Sequence, residues 1–163
     1  MQHVIGLTSA KLDEPVWPLD ATGRLRFDSR CFQSLGYFQL LSLPFNEYAK
    51  QHSGSSIDSL NVMFAIRGKD LLVAKEQLEA LSDKVAQYPH NWRDFLGMYR
   101  PPRLQPIRIE PLLFRSRAIS LISKVEAIVQ TAITTQKCVV YGSGVSYRYL
   151  CGINLPPGTI EYS

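Results

Sequence analysis

The sequence predicts an α+β fold in which helices dominate: strand, helix, a long heptad helix, then a second strand–helix unit. Three observations predict it. "GRLRFDSRCF" (23–32) alternates strictly, with Arg24, Arg26, Asp28 and Arg30 on one parity and Leu25, Phe27, Ser29 and Cys31 on the other. Ile57, Phe64, Leu71, Leu78 and Val85 recur every seven residues. "LLFRSR" (112–117) repeats much of "LRFDSR" (25–30) immediately before a third apolar-periodic stretch. Successive strand side chains point to opposite faces, so the first stretch reads as a strand with an apolar and a charged side.

Residues 1–22 read as an arm, because "EPVWPLDATG" holds two prolines and ends in a turn-like Ala-Thr-Gly. Residues 23–163 then form a single globular domain, and 163 residues suffice for a proper core. The strand covers about 24–28. Ser29 is placed to cap a helix running to about Leu41, with Phe32, Leu35, Phe38 and Leu41 as its buried stripe. Pro44 ends it, and "AKQHSGSS" is a polar loop.

The heptad from Ile57 to Val85 is joined three positions later by Leu60, Arg67, Ala74 and Leu81, with Arg67 as its polar break. This spacing predicts a helix of about 30 residues, about 45 Å long. Such a seam pairs with another long helix, either in a hairpin within the chain or in a dimer. "YPHNWRDFLGMYRPPRLQP" reads as a Pro-rich loop with a short helical turn. In "PIRIEPLLFR", Ile107 and Ile109 oppose Arg108 and Glu110, and Pro111 marks an edge strand or a bulge. Ser116 is placed to cap a helix over about 116–135, with Ile119, Ile122, Val125, Ile128, Val129, Ala132 and Ile133 giving it a wide apolar face. "CVVYGSGVSYRYLCGINLPPG" reads as two short strands about a Gly-Ser-Gly turn.

Composition bounds the function. Hydrophobic residues make up 45% and charged residues 20%, which fits a folded chain rather than disorder. No apolar run approaches the roughly 18 residues of a membrane helix, and no secretory signal is visible. Cys31, Cys138 and Cys151 have no metal-like spacing and fit a reducing cytoplasm. His3, His52 and His90 are not spaced as metal ligands. There is no nucleophile elbow, and "GSG" at 142–144 lacks the Lys-Ser/Thr of a phosphate loop. The expectation is a non-enzyme without metal or cofactor.

Net charge is +4, and its placement is uneven. Arg93, Arg100, Arg103, Arg108, Arg115 and Arg117 face only Asp94 and Glu110 across that window, which contains no lysine. Arginine pairs bidentately with phosphate and with guanine edges. A two-stranded ribbon fits the DNA major groove, so "RLRFDSR" followed by two helices has the order of a ribbon-helix-helix protein. On that reading Arg24, Arg26 and Asp28 read bases. Arg30, Ser55, Ser56, Arg103, Arg108, Arg115 and Arg117 hold phosphate. Leu25, Phe27, Phe64, Leu71 and Leu78 carry dimerisation.

"LRFDSRCFQSLGYF", "PFNEYAKQHSGSSIDSLNVMFAIRGKDLLVAKEQLEAL" and "LQPIRIEPLLFRSRAISLISKVEAIVQTAITTQ" together resemble the AcaB-like transcriptional regulators of conjugative plasmids and integrating conjugative elements. The resemblance covers roughly 24–140. It implies a homodimeric, ribbon-helix-helix-like protein that binds double-stranded DNA and activates conjugative-transfer genes, meeting the transcription machinery there. Carried over by position, Arg24, Arg26 and Asp28 are the readers. A second reading is a protein-interaction module without nucleic acid, whose heptad helix and arginines meet an acidic partner in a mobile-element or phage-related assembly, or inhibit a nucleic-acid enzyme.

Overall fold

A computed structural model describes residues 2–8, 19–28, 31–45, 63–99 and 102–143. Alternating apolar residues build its central sheet. Strands β1 (Gln2–Thr8), β2 (Leu19–Asp28), β3 (Met63–Ile66) and β8 (Cys138–Ser143) lie in the order β2-β1-β8-β3, and every pairing is antiparallel. Residues 2–8, expected within an arm, instead form an inner strand. Ile5 and Leu7 are buried, and they share a face with Val139 and Tyr141 through the pairs Ile5↔Tyr141 and Leu7↔Val139. A short strand interrupted by Gly6 shows little alternation by itself, and its two neighbours come from distant parts of the chain.

The strand expected at 24–28 is present as the second half of β2. Phe27 is buried and Leu25 packs against the core, while Arg26 on the other parity is exposed. Helix α1 (Phe32–Ser42) follows and lays Phe38 on Phe27, with ring centroids 5.5 Å apart. Ser29 lies outside the described residues, and the residue at the cap position is Cys31, which makes no side-chain capping bond. Of the predicted stripe, Phe38 and Leu41 are buried, Leu35 is half-buried and Phe32 is exposed at the helix start. Gly36 lets α1 approach the next layer: a Cβ there would stand 3.1 Å from Leu113 Cδ2 and 3.2 Å from Pro111 Cγ. A single 3-10 turn (Leu43–Phe45) then brings Phe45 under Tyr141, whose hydroxyl donates to the Phe45 carbonyl at 2.6 Å. Tyr141→Phe leaves that buried carbonyl short of a donor, so a loss of about 2 kcal/mol is expected in denaturant unfolding.

The long heptad helix is corrected. Positions 57–62 lie outside the described residues, 63–66 are β3, and helix α2 spans only Lys69–Ala86. Gly68, at φ 59°, occupies the left-handed region between strand and helix and breaks the seam. Arg67 is therefore an exposed residue at a strand end, not a polar break in a coil. The rest of the heptad holds: Leu71, Ala74, Leu78, Leu81 and Val85 are all buried. Their partner is helix α3 (Arg115–Thr135) of the same chain.

Helix α3 buries Ala118, Leu121, Ile122, Val125, Ile128, Val129 and Ala132. Ile119 is 37% exposed and Ile133 half-buried, so the face sits one residue round from the expected one. Ser116 is an exposed residue of the helix rather than its cap, and Phe114 holds the cap position. The expected loop at 88–106 is largely a hairpin. Strand β4 (Asn91–Arg93) pairs with β7 (Leu112–Phe114), and β5 (Gly97–Tyr99) pairs with β6 (Ile107–Ile109). Pro111 separates β6 from β7, which explains the single interrupted strand read from the sequence. Both copies of the repeated phrase stand at strand-to-helix junctions, β2–α1 and β7–α3. Among the described residues, no helix is long and apolar enough to cross a membrane.

Candidate nucleic-acid interface

The 21 residues of α3 give it one exposed stripe, Arg117, Ser120, Lys124, Ala127 and Thr131, at helical spacing. The stripe carries two cations and no acid. It borders an open groove of about 500 Å³ whose other wall is β1 and β2, lined by Leu7, Gly23, Arg24, Leu25, Lys124 and Lys137 among others. Lys137 sits there because α3 ends sharply. Gln136 adopts φ 56°, and the backbone N–H groups of Gln136 and Lys137 both donate to the Ala132 carbonyl. The chain then turns directly into β8.

Lys137 also lines a second groove of about 470 Å³, with Arg67, Lys69, Leu72, Ile133 and Gln136. Among the described residues, no carboxylate lines either groove. Arg24, Lys124, Lys137, Arg67 and Lys69 therefore form one cationic band over an apolar floor. Burial pushes the Cys138 thiol up from its ordinary value, and the Arg67 charge opposes that shift. This places Arg67 beside the start of β8, next to Lys137. Cys138 is thus a buried protonated thiol. Among the described residues no group of three or more His, Cys, Asp or Glu could hold a metal ion.

The flank of α3 that faces α2 has the opposite character. A hollow of about 280 Å³ is lined by Lys75, Glu79, Ser123, Glu126 and Gln130. Burial raises the Glu126 carboxyl above its ordinary value of 4.5, and the nearby Glu79 and Asp83 charges add to the rise. A carboxyl with a raised folded pKa favours folding most when protonated. Its contribution is complete below pH 4.5 and is lost as pH rises through the folded value. Glu126→Gln should accordingly raise stability at pH 7 by about 0.3 kcal/mol, with no gain below pH 4.5, read from melting curves at the two pH values.

The predicted site residues divide. Arg24 lines the first groove, half-buried, and Arg26 lies exposed on the same strand. The backbone of Asp28 pairs with Gln2 at the end of β2. The side chains of Asp28 and Phe64 lie outside the described residues, as do Arg30, Ser55 and Ser56. Arg108 Nε is 2.7 Å from Glu110 Oε1 and its guanidinium stacks 4.1 Å over Phe95, so it braces the hairpin. Arg115 donates to the Tyr88 carbonyl at 2.8 Å and ties the hairpin to the end of α2. Arg103 is exposed at the hairpin tip and Arg117 on the α3 stripe. The residues assigned to dimerisation are buried within one chain: Phe27 on α1, and Leu71 and Leu78 between α2 and α3, with Leu25 packed at the core edge. Their burial needs no second subunit.

The sequence reading does not single out Lys124, Lys137 or Lys69, and it takes Arg67 only as the polar break of the heptad. Attention to arginine density passes over lysines spaced along a helix. The spacing of Arg117, Lys124 and Thr131 is the signal that would have found the stripe. Comparison with known proteins returned no matching family model, no matching curated protein and no matching solved structure.

Proposed function

We propose that this chain is a non-enzymatic, double-stranded-DNA-binding regulator, acting as a homodimer on conjugative-transfer genes as the AcaB-like resemblance implies. The observation that carries the reading is the gathering of five cations, Arg24, Lys124, Lys137, Arg67 and Lys69, across two adjoining grooves with no carboxylate among the described lining residues. Cations above an apolar floor suit a sugar–phosphate backbone, where phosphate contacts fix position and the floor meets the sugars. Arg117 begins the stripe and Lys137 stands just past the end of α3, so the cations run about 30 Å along the helix, the length of about nine base pairs. Arg26 on the exposed side of β2 supplies a base-reading group beside the band. Among the described strands β2 pairs only with β1 and stands at the sheet edge, where a second copy of β2 could complete a ribbon.

The test is binding of the chain to a duplex of about 30 base pairs across a salt series. Five phosphate contacts predict a slope of log K on log salt near −4.5. Loss of sequence preference in Arg24→Ala/Arg26→Ala, with sedimentation at dimer mass, supports the finer reading. Absence of retention on duplex DNA or heparin at low salt overturns the proposal and leaves an acidic protein partner for the band.

A further inference from the structure

The ladder from His90 to Arg115 is one continuous two-stranded ribbon. Arg115 N donates to His90 O at 3.0 Å, Asp94 N to Pro111 O at 3.1 Å and Leu96 N to Ile109 O at 2.9 Å, filling the intervals between β4–β7 and β5–β6. Ten residues of this ribbon, from His90 to Tyr99, span about 30 Å. No described side chain from Arg93 to Leu112 is buried, and the ribbon meets the core at its base, where Leu113 is fully buried and Trp92 packs against it. It is braced nonetheless. Arg108 lies between Phe95 and Glu110, and Arg93 donates to the Glu110 carbonyl at 3.0 Å. A long braced ribbon that leaves the core at its base is an arm.

Its tip is chemically distinct. The described residues there are "PRLQP" (102–106), with one arginine, two prolines, one leucine and no acid. Leu104 is 70% exposed, above any other large hydrophobic residue among those described. Arg103 takes φ 62°, which a non-glycine residue adopts in tight turns, and Leu104 follows it outward. Met98 and Ile107 stand exposed behind it on the two strands. The only acids of the 93–117 window are drawn back from the tip, Glu110 on Arg108 and Asp94 half-buried at the base. An exposed apolar tip alone would suit a protein partner. An adjoining Arg103 with no acid among the described tip residues selects a polyanion instead.

We propose that this arm enters the minor groove of DNA and wedges Leu104 between base pairs, with Arg103 beside it in the groove. Apolar side chains inserted between base steps unstack them and kink the duplex, and arginine favours the negative potential of a narrow minor groove. The arm's base lies at Arg115, two residues before Arg117 at the start of the cationic stripe. A duplex kinked at the tip would then fold back along that stripe. This inference rests on the DNA-binding reading above.

The experiment uses the full chain and a duplex of about 30 base pairs carrying fluorophores at both ends and 2-aminopurine at single steps. Wild type should shorten the end-to-end distance and brighten 2-aminopurine at the kinked step. Leu104→Ala should abolish both signals and weaken binding about tenfold, with the salt slope unchanged. Arg103→Ala should lower the slope by about one. Leu104 is exposed, so the variant keeps its melting temperature. Wild type that binds duplex without bending it, or Leu104→Ala that bends it equally, overturns the arm's role while the DNA-binding reading stands. A change in sedimentation mass on Leu104→Ala, with bending unaltered, assigns the tip to a second copy and likewise overturns it. No binding of wild type at low salt overturns both.

Discussion

Alanine at Arg24, Lys124 and Lys137 together should lower duplex-DNA affinity by about 100-fold at 0.1 M salt and flatten the salt slope by about 2.7. The three side chains line one groove, from β2, α3 and the α3–β8 turn. Each phosphate contact releases about 0.9 of a counterion, which sets the slope change. A charge-assisted bond at each position is worth at least 1 kcal/mol, and three of them give the fold-change. Lys124 is exposed on a helix, where alanine is a better helix former, so its replacement costs no stability. Arg24 and Lys137 have interactions within the chain, so melting temperature is measured alongside binding. An unchanged slope in a folded triple variant would mean that the band does not touch phosphate. Glu79→Gln on α2, beside the opposite flank of α3, serves as the control and should leave the slope as it was.

The second large effect concerns the helix seam. Leu78 is fully buried between α2 and α3, and truncation to alanine leaves a cavity that neighbouring helices fill only in part. A loss of about 3 kcal/mol is expected for Leu78→Ala, or about 10 °C in melting temperature for a chain of this size. Because both helices belong to one chain, that loss should be the same at low and high protein concentration. A seam shared between two subunits would make stability rise with protein concentration. A concentration-dependent shift in the variant would therefore contradict the pairing of α2 with α3 within the chain.

The two predictions separate what local sequence encodes from what it leaves open. The period of Leu71, Ala74, Leu78, Leu81 and Val85 is a local property, and α2 follows it. Extending that period back to Phe64 was an accident of spacing. A residue in a strand can fall seven positions before a helical leucine, and the positive φ of Gly68 interrupts the regularity without altering it. The α3 face was legible to within one residue, since Ile122, Val125, Ile128, Val129 and Ala132 alone outline it. The hairpin was not, because its strands are only three residues long and prolines at 89, 101, 102, 106 and 111 flank them.

The candidate site was legible in half. Arg24 and Arg26 stood out by their alternation, which β2 displays at Arg26 and Phe27, whereas Arg24 and Leu25 are both half-buried. The basic window was visible as charge, yet Arg108 and Arg115 spend their hydrogen bonds within the chain. The sequence by itself determined the mixed fold, the amphipathic faces of α2 and α3, and the two strand-to-helix phrases, because each depends on neighbours within a few residues. Only the tertiary structure decided that residues 2–8 lie between β2 and β8, that the seam closes within one chain, and that lysines from α3 and its last turn meet Arg24. Those outcomes join segments from opposite ends of the described chain. Nothing in a local period specifies which distant segment buries the face it creates.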